Sequence, residues 1–462
     1  MSLGYLTSRR RDEMRRGHEA ARTLACIVGG RRSVAVAGAA LLGGWVYAAL
    51  PAEAQTVEAD DDAIVAPTEE AYPDRLDGTL SAEGDLEEDE APRSAHFRFP
   101  TSLGPWLAFK EAVQGATGIN FGGSYGVLWQ NYQESLSGEE NAVGGKFTMN
   151  FSKDLLFRET PNALIFDMAV EARHPIGTDE PPLWAGLQAG SITATAATWG
   201  EFDLGITQAY IRQNLLDGRI QYTIGKIFAP NYVNAYPFFD DNRQFLNQNF
   251  TTSPTIPIPL RGFGMAGAVY PTSGNFYISG GMYTPYSSDT GWTVDDFFER
   301  NQYFYNIEIG WSSLANTGVP LQARGPMDAN NFHITPWYRD ELDDGTPEAY
   351  GVAFNANYLL QENLMAFVRG GLSHGWVINS NISMGFGLQP TNAPSDLFGV
   401  GFGWANPTNE FLPAQYTAEI FYRYQVTPQF AVTPDAQLIL NPALNPTEDV
   451  LWAFGVRSRL TF

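Results

Sequence analysis

Six side chains able to hold a polar solute crowd into the positions from 236 to 243: Tyr236, Phe238, Phe239, Asp240, Asp241 and Arg243. Arg261 closes the same stretch, 230–261, which shows no regular period. Aromatic rings stack on apolar ring faces, while carboxylates and guanidinium groups hydrogen-bond hydroxyl edges. That chemistry is recognition by contact, suited to a polyhydroxylated solute. The same residues would equally build a packed aromatic loop stapled by an Asp–Arg pair.

Covalent and metal chemistry find little support. Cys26 is the only cysteine, which excludes a disulfide framework and any multi-cysteine metal centre. No H-E-x-x-H helix and no phosphate loop occurs. The later histidines, His96, His174, His333 and His374, are scattered. A barrel hydrolase would need a Ser/His or Asp/His pair at one rim, and His333 and His374 are the histidines that could be placed so. The expectation is a non-enzyme with no cofactor and no metal. Lys and Arg number 28 against 51 Asp and Glu, a net charge of −23, which makes nucleic acid an unsuitable partner.

Before residue 99 the chain is built from segments of contrasting composition. Residues 1–33 are rich in arginine, Val34–Leu50 is apolar, and Pro51-Ala52-Glu53-Ala54 follows. Together these make an export signal, 1–54, cleaved after Ala54. Its basic region is long, so translation could instead begin at Met14. Residues 55–98 are strongly acidic, and such a segment buries too little apolar surface to order itself. It reads as a disordered tether, with a cation- or partner-binding tail as the alternative. Within 99–116, Leu103, Trp106, Leu107, Lys110 and Glu111 fall at helical spacing. A short helix over 105–114 is expected, serving as a plug or lid.

The elements that must position the 230–261 stretch are strands. From residue 117 onward, apolar residues recur at every second position in segments of about ten, separated by turns. In Ala414–Val426, Tyr416, Ala418, Ile420, Tyr422 and Tyr424 share one face, and Gln415, Thr417, Glu419, Phe421 and Arg423 the other. Sixteen such segments are expected: 118–133, 142–157, 162–174, 205–216, 219–228, 262–271, 275–286, 303–314, 331–342, 349–360, 364–375, 379–389, 396–407, 414–428, 430–441 and 451–462. The Gly-, Ala- and Thr-rich stretch 184–199 reads as a loop. Charges on one strand face and aromatics near strand ends suit a membrane barrel with an aqueous lumen better than a dry sandwich. The expected fold is all-β, an antiparallel transmembrane β-barrel of the bacterial outer membrane. By alternation Glu308, Arg339, Arg369, Glu419, Arg423, Arg457 and Arg459 face the lumen, where opposed charges would set a transverse field. Folded inward, 230–261 would narrow the pore.

The run from Ala418 to Phe462 resembles the carbohydrate-selective porins of the OprB type. The resemblance is carried by Glu419–Tyr424 with Gln425-Val426-Thr427-Pro428, by Thr433-Pro434-Asp435, and by the closing Arg457-x-Arg459-Leu460-x-Phe462. Gly225-Lys226, Phe245-Leu246-Asn247 and Ile256-Pro257-x-Pro259 before Gly262-x-Gly264 are similar to the same family's approach to its inward loop. The likeness covers roughly 117–462. One departure is Ile227-Phe228-Ala229-Pro230, where the family usually carries an acid. The resemblance implies passive diffusion of small hydrophilic solutes, sugars foremost, a lipid-embedded monomer or homotrimer, and assembly through the terminal strand ending in Phe462. The alternative is a mainly structural barrel with a plugged lumen and an acidic tail that binds cations or cell wall.

Overall fold

The computed structural model describes residues 80–91, 93–97, 103–158, 160, 162–271, 275–313, 330–445 and 447–462. The proposed export signal, 1–54, and the acidic stretch up to residue 79 lie outside the described residues. Sixteen strands run in chain order: β1 Ile119–Tyr132, β2 Asn141–Leu156, β3 Leu164–Pro175, β4 Phe202–Leu215, β5 Ile220–Phe228, β6 Arg261–Val269, β7 Phe276–Tyr283 and β8 Phe304–Ser312. They continue as β9 Asn331–Arg339, β10 Ala349–Gln361, β11 Leu364–His374, β12 Ile378–Leu388, β13 Leu397–Pro407, β14 Gln415–Thr427, β15 Phe430–Leu440 and β16 Val450–Thr461. Each pairs antiparallel with its sequence neighbours. β1 pairs with β16, from Ser124 opposite Thr461 to Tyr132 opposite Ala453, and closes the barrel.

All sixteen expected segments are strands, shifted by at most a few residues at their ends. Closure leaves no edge strand open and satisfies the backbone without water. Alternation sorts the faces as expected. On β14, Tyr416 and Ile420 are exposed outward, whereas Gln415, Thr417 and Glu419 are buried inward. Ile307 and Ile309 of β8 are exposed while Asn306 and Glu308, which alternate with them, are buried. The run Gly122-Gly123-Ser124-Tyr125-Gly126 has the spacing of a nucleophile elbow. It lies within β1, where there is no strand-to-helix turn to present Ser124. Turns such as 216–219, 362–363 and 428–429 are short and lie at the same end as the start of β1 and the end of β16. By the outer-membrane rule this is the periplasmic end.

The acidic segment departs from the expectation of disorder over Ala82–Glu90, which is a helix, α1. Ser81 caps it, its side-chain oxygen accepting from Gly84 N at 3.0 Å. Ala82, Asp85, Leu86 and Asp89 follow the i, i+3, i+4, i+7 pattern of one helical face. Ala82, Asp85 and Leu86 are buried. Gly122 of β1 is bare where Leu86 arrives: a Cβ there would stand 3.0 Å from Leu86 Cδ2. The second helix, α2, spans Gly104–Thr117 and contains the expected 105–114. Trp106 and Phe109 pack on Phe121, which faces outward on β1, and Trp106 also meets Phe462. Of the two helices it is α1 that enters the lumen. The expected loop 184–199 opens as a short helix, α3, Pro182–Gln188.

Candidate functional site

The connection between β5 and β6 leaves through a 3₁₀ turn at Ala229–Asn231 and returns at Arg261, the first residue of β6. Between them the chain folds into the lumen and is held by wall side chains from several strands. Glu419 accepts from Leu246 N at 2.6 Å and from Asn247 N at 2.9 Å. Arg457 donates to the carbonyls of Asp241 and Gln244 at 2.6 and 2.8 Å. Arg369 donates to Thr251 O at 2.9 Å and to Asn234 at 3.1 and 2.9 Å, with Tyr236 stacked 4.1 Å from its guanidinium. Lys146 reaches Asn242 at 2.8 Å and Asp241 at 3.4 Å. The lumen-facing charges on these strands are therefore struts for the loop, bonding its backbone and the side chains of Asn234, Asp241 and Asn242.

The loop's rings dock where the wall is bare. Phe238, Phe245 and Phe250 pack with Phe367 and Phe421 from β11 and β14. Opposite them the inward positions of β12 and β13 are glycines. A Cβ on Gly387 would lie 2.3 Å from Phe238, and one on Gly401 would lie 2.8 Å from Phe250. Tyr236, Phe238 and Phe239 are buried in this packing, and the Tyr236 hydroxyl donates to the Phe250 carbonyl. The aromatic trio singled out for solute stacking is committed to holding the loop.

A second inward segment, 189–199, pairs with the first. Ala197 N donates to Leu246 O at 3.0 Å, and Gln248 N to Ala194 O at 2.8 Å. Its threonines satisfy the wall: Thr195 meets Tyr132 at 2.9 Å, and Gln415 reaches Ser191 and Thr193 at 2.9 and 3.1 Å. Thr198 binds Asp241 through both its amide and its hydroxyl at 2.6 Å. Among the described residues two connections, not one, fill the middle of the barrel.

The charged groups gather into two clusters. On the extracellular side Arg261 meets Asp289 at 2.8 Å and Glu171 at 3.5 Å, and Glu171 pairs with Arg173 at 2.6 Å. On the periplasmic side Arg243 pairs with Asp240, with Asp85 at 2.5 Å and with Asp89 at 2.8 Å. Arg459 reaches Asp89 at 2.5 Å and Asp85 at 3.3 Å. Burial pushes the Asp89 carboxyl up, but Arg459 and Arg243 outweigh it and hold it well below the usual carboxylate range. Asp240 is likewise lowered, the field of Arg243 overcoming its burial. Asp85 goes the other way, its burial outweighing the same arginines.

The remaining singled-out charges stand apart. Arg339 donates to Pro347 O at 2.6 Å near the extracellular rim, and Arg423 to Ser395 O at 3.0 Å near the periplasmic one. Glu308 accepts from Tyr277 and Thr335, each at 2.8 Å. His333 is buried against Asn331 and Asn234, whereas His374 meets Tyr350, which is exposed on the outer face. Lys146, Glu171, Arg173 and Arg212 belong to the lumenal network although they were not among the residues singled out from the sequence. The alternation that selected Glu419 would have selected them too.

The sequence profile described as "Carbohydrate-selective porin, OprB family" matches residues 139–462. The chain belongs to that family. Porin AaxA of Chlamydia trachomatis is 22% identical over 267 residues, 55% of each chain. Porin AaxA of Chlamydia muridarum is 23% identical over 283 residues, 59% of this chain and 58% of that one. The chain thus spans little more than half the length of these curated relatives. The high-pH structure of Pseudomonas putida OprB superposes with a TM-score of 0.62 at 14% identity, over 81% of this chain and all of that one, and shows the shared fold. A closed sixteen-strand barrel in this porin family is a protein of the bacterial outer membrane.

Proposed function

We propose that this porin is a passive diffusion channel for small hydrophilic solutes, sugars foremost, whose lumen is narrowed by the 229–260 connection. The carrying observation is the inward loop itself, tied to the barrel wall by Glu419, Arg457, Arg369 and Lys146. A long connection fixed this firmly across the lumen sets the bore by its position, and its polar edge sets the selectivity. Asp240 and Arg243 are the loop residues with the chemistry to meet hydroxyls. The rings of Tyr236, Phe238 and Phe239 support them from behind. Membership of a carbohydrate-selective porin family supports a channel over an enzyme. Export through cleavage after Ala54 is part of the same reading, and Edman sequencing of the chain from outer membranes would check it.

The test is liposome swelling with the refolded chain. Neutral sugars of graded size are compared with amino acids of matched size. Faster swelling in sugars than in matched solutes supports the proposal. A rate ordered by size alone would leave a general pore and remove the sugar preference. No swelling in any solute would favour the plugged structural barrel.

A further inference from the structure

Beneath the inward loop, on its periplasmic side, lies a cleft lined by Arg93, Arg243, Arg423, Arg457 and Arg459, with Gln425 at its edge. Five guanidinium groups around one cleft would repel one another strongly in a site shielded from water. Two of them, Arg243 and Arg459, share the carboxylates of Asp85 and Asp89 from α1, and Arg93 adds a contact to Asp89 at 3.4 Å. Among the described residues Arg423 and Arg457 hydrogen-bond only backbone carbonyls. Their Nε atoms are buried without a hydrogen-bond acceptor among the described residues. The cleft thus holds carboxylates and retains buried donors for more.

The helix that supplies those carboxylates has little reason to form by itself. It is nine residues long, below the length at which an isolated helix is stable. Its last turn carries acids and no basic residue, the wrong charge for the negative end of a helix dipole. Its order comes from docking: the arginines, Asn150 donating to Asp85 at 2.7 Å, and Leu86 lying against Gly122. A segment held in this way behaves as a ligand attached to the chain.

We propose that the arginine cleft is an anion subsite of the permeation path, that it receives the carboxylate of a sugar acid, and that α1 occupies it as a tethered competitor. A sugar acid fits because it carries one carboxylate, as α1 presents here, on a frame of hydroxyls that the loop's polar edge can follow. The subsite rests on the channel reading above and adds to it a class of solute and a built-in inhibitor. Displacing α1 exposes Arg243 and Arg459 together, so the free channel favours anions more than the docked one.

Planar bilayers holding the refolded chain test this. Reversal potentials in a KCl gradient give the anion-to-cation permeability ratio, and added gluconate or glucose gives the concentration for half-block. Three forms are compared: the unaltered chain, Asp85→Asn with Asp89→Asn, and that pair combined with Arg423→Gln and Arg459→Gln. The doubly neutralised helix is expected to raise the permeability ratio several-fold and to lower the gluconate half-block concentration about tenfold, as one charge-assisted hydrogen-bond pair allows. Glucose half-block should not move, and the two arginine changes should reverse both effects. An unchanged ratio, or a larger conductance with gluconate no better than glucose, overturns the subsite. Glucose-driven liposome swelling separates the two ideas: swelling without gluconate block removes the subsite alone, whereas no swelling in any form removes the channel and the subsite together.

Discussion

Glu419 bears the most direct load on the inward loop, and its removal has a calculable effect. Its two carboxyl oxygens accept the amides of Leu246 and Asn247 at 2.6 and 2.9 Å, and it is 1% exposed. Glu419→Ala would strand two buried N–H groups at about 1–3 kcal/mol each. Glu419→Gln keeps one acceptor oxygen and strands one amide. The opening equilibrium of the loop should therefore rise about tenfold to a hundredfold in the glutamine variant and further in the alanine variant. The barrel strands, closed by their own ladders, should keep their stability. Hydrogen exchange followed by mass spectrometry on peptides covering 240–252 reads the change directly. Protection should fall there and stay constant in peptides from β14 to β16. Equal protection in all three proteins would refute the claim that this carboxylate pins the loop.

Other consequences follow from the same geometry. Gly387→Ala places a methyl 2.3 Å from the unmoved Phe238 ring, which is fully buried, and should cost about 1–3 kcal/mol, seen as a lower urea midpoint in tryptophan fluorescence. Arg457→Gln removes two bonds to the loop backbone and should make single-channel traces noisier, with frequent brief closures, without altering the barrel's circular dichroism. The docking of α1 should not weaken as pH falls from 8 to about 5. The Asp89 carboxyl is held low in the docked state by Arg459 and Arg243, so its contribution is complete above the ordinary carboxylate pKa and is lost as pH falls through its lowered value. Asp85, raised by burial, takes its proton more readily when docked, so mild acid slightly favours docking before strong acid releases the helix. A fluorophore on residue 87, read from pH 8 to 3, should report release only below about pH 4.

The strands were legible because a two-residue period is written locally: Tyr416, Ile420 and their neighbours alternate with Gln415, Thr417 and Glu419 whatever the rest of the chain does. The inward loop was legible as a long aperiodic stretch between two strands. What its rings do was not, because Phe238 reads the same whether it faces a solute or a glycine-bared wall, and Gly387 and Gly401 that decide it lie far along the chain. Similarly, α1 has too few apolar residues to declare itself. Asp85 and Asp89 become helix-forming only opposite Arg459, 374 and 370 residues on. Alternation puts Glu419, Arg369 and Arg457 on one strand face, but it does not display their partners, which are amides and carbonyls of the loop backbone. The threonines of 189–199 are also hard to assign from composition, since the same residues suit an exposed turn and a packed lumenal segment.

Single-channel conductance of the refolded chain beside a variant in which Ala235–Thr251 is replaced by a short Gly-Ser link tests the central idea most directly. With the loop as the constriction, the shortened variant should conduct several-fold more and admit sugars that the unaltered chain excludes. Equal conductance and an equal size limit in the two proteins would show that the bore is set elsewhere.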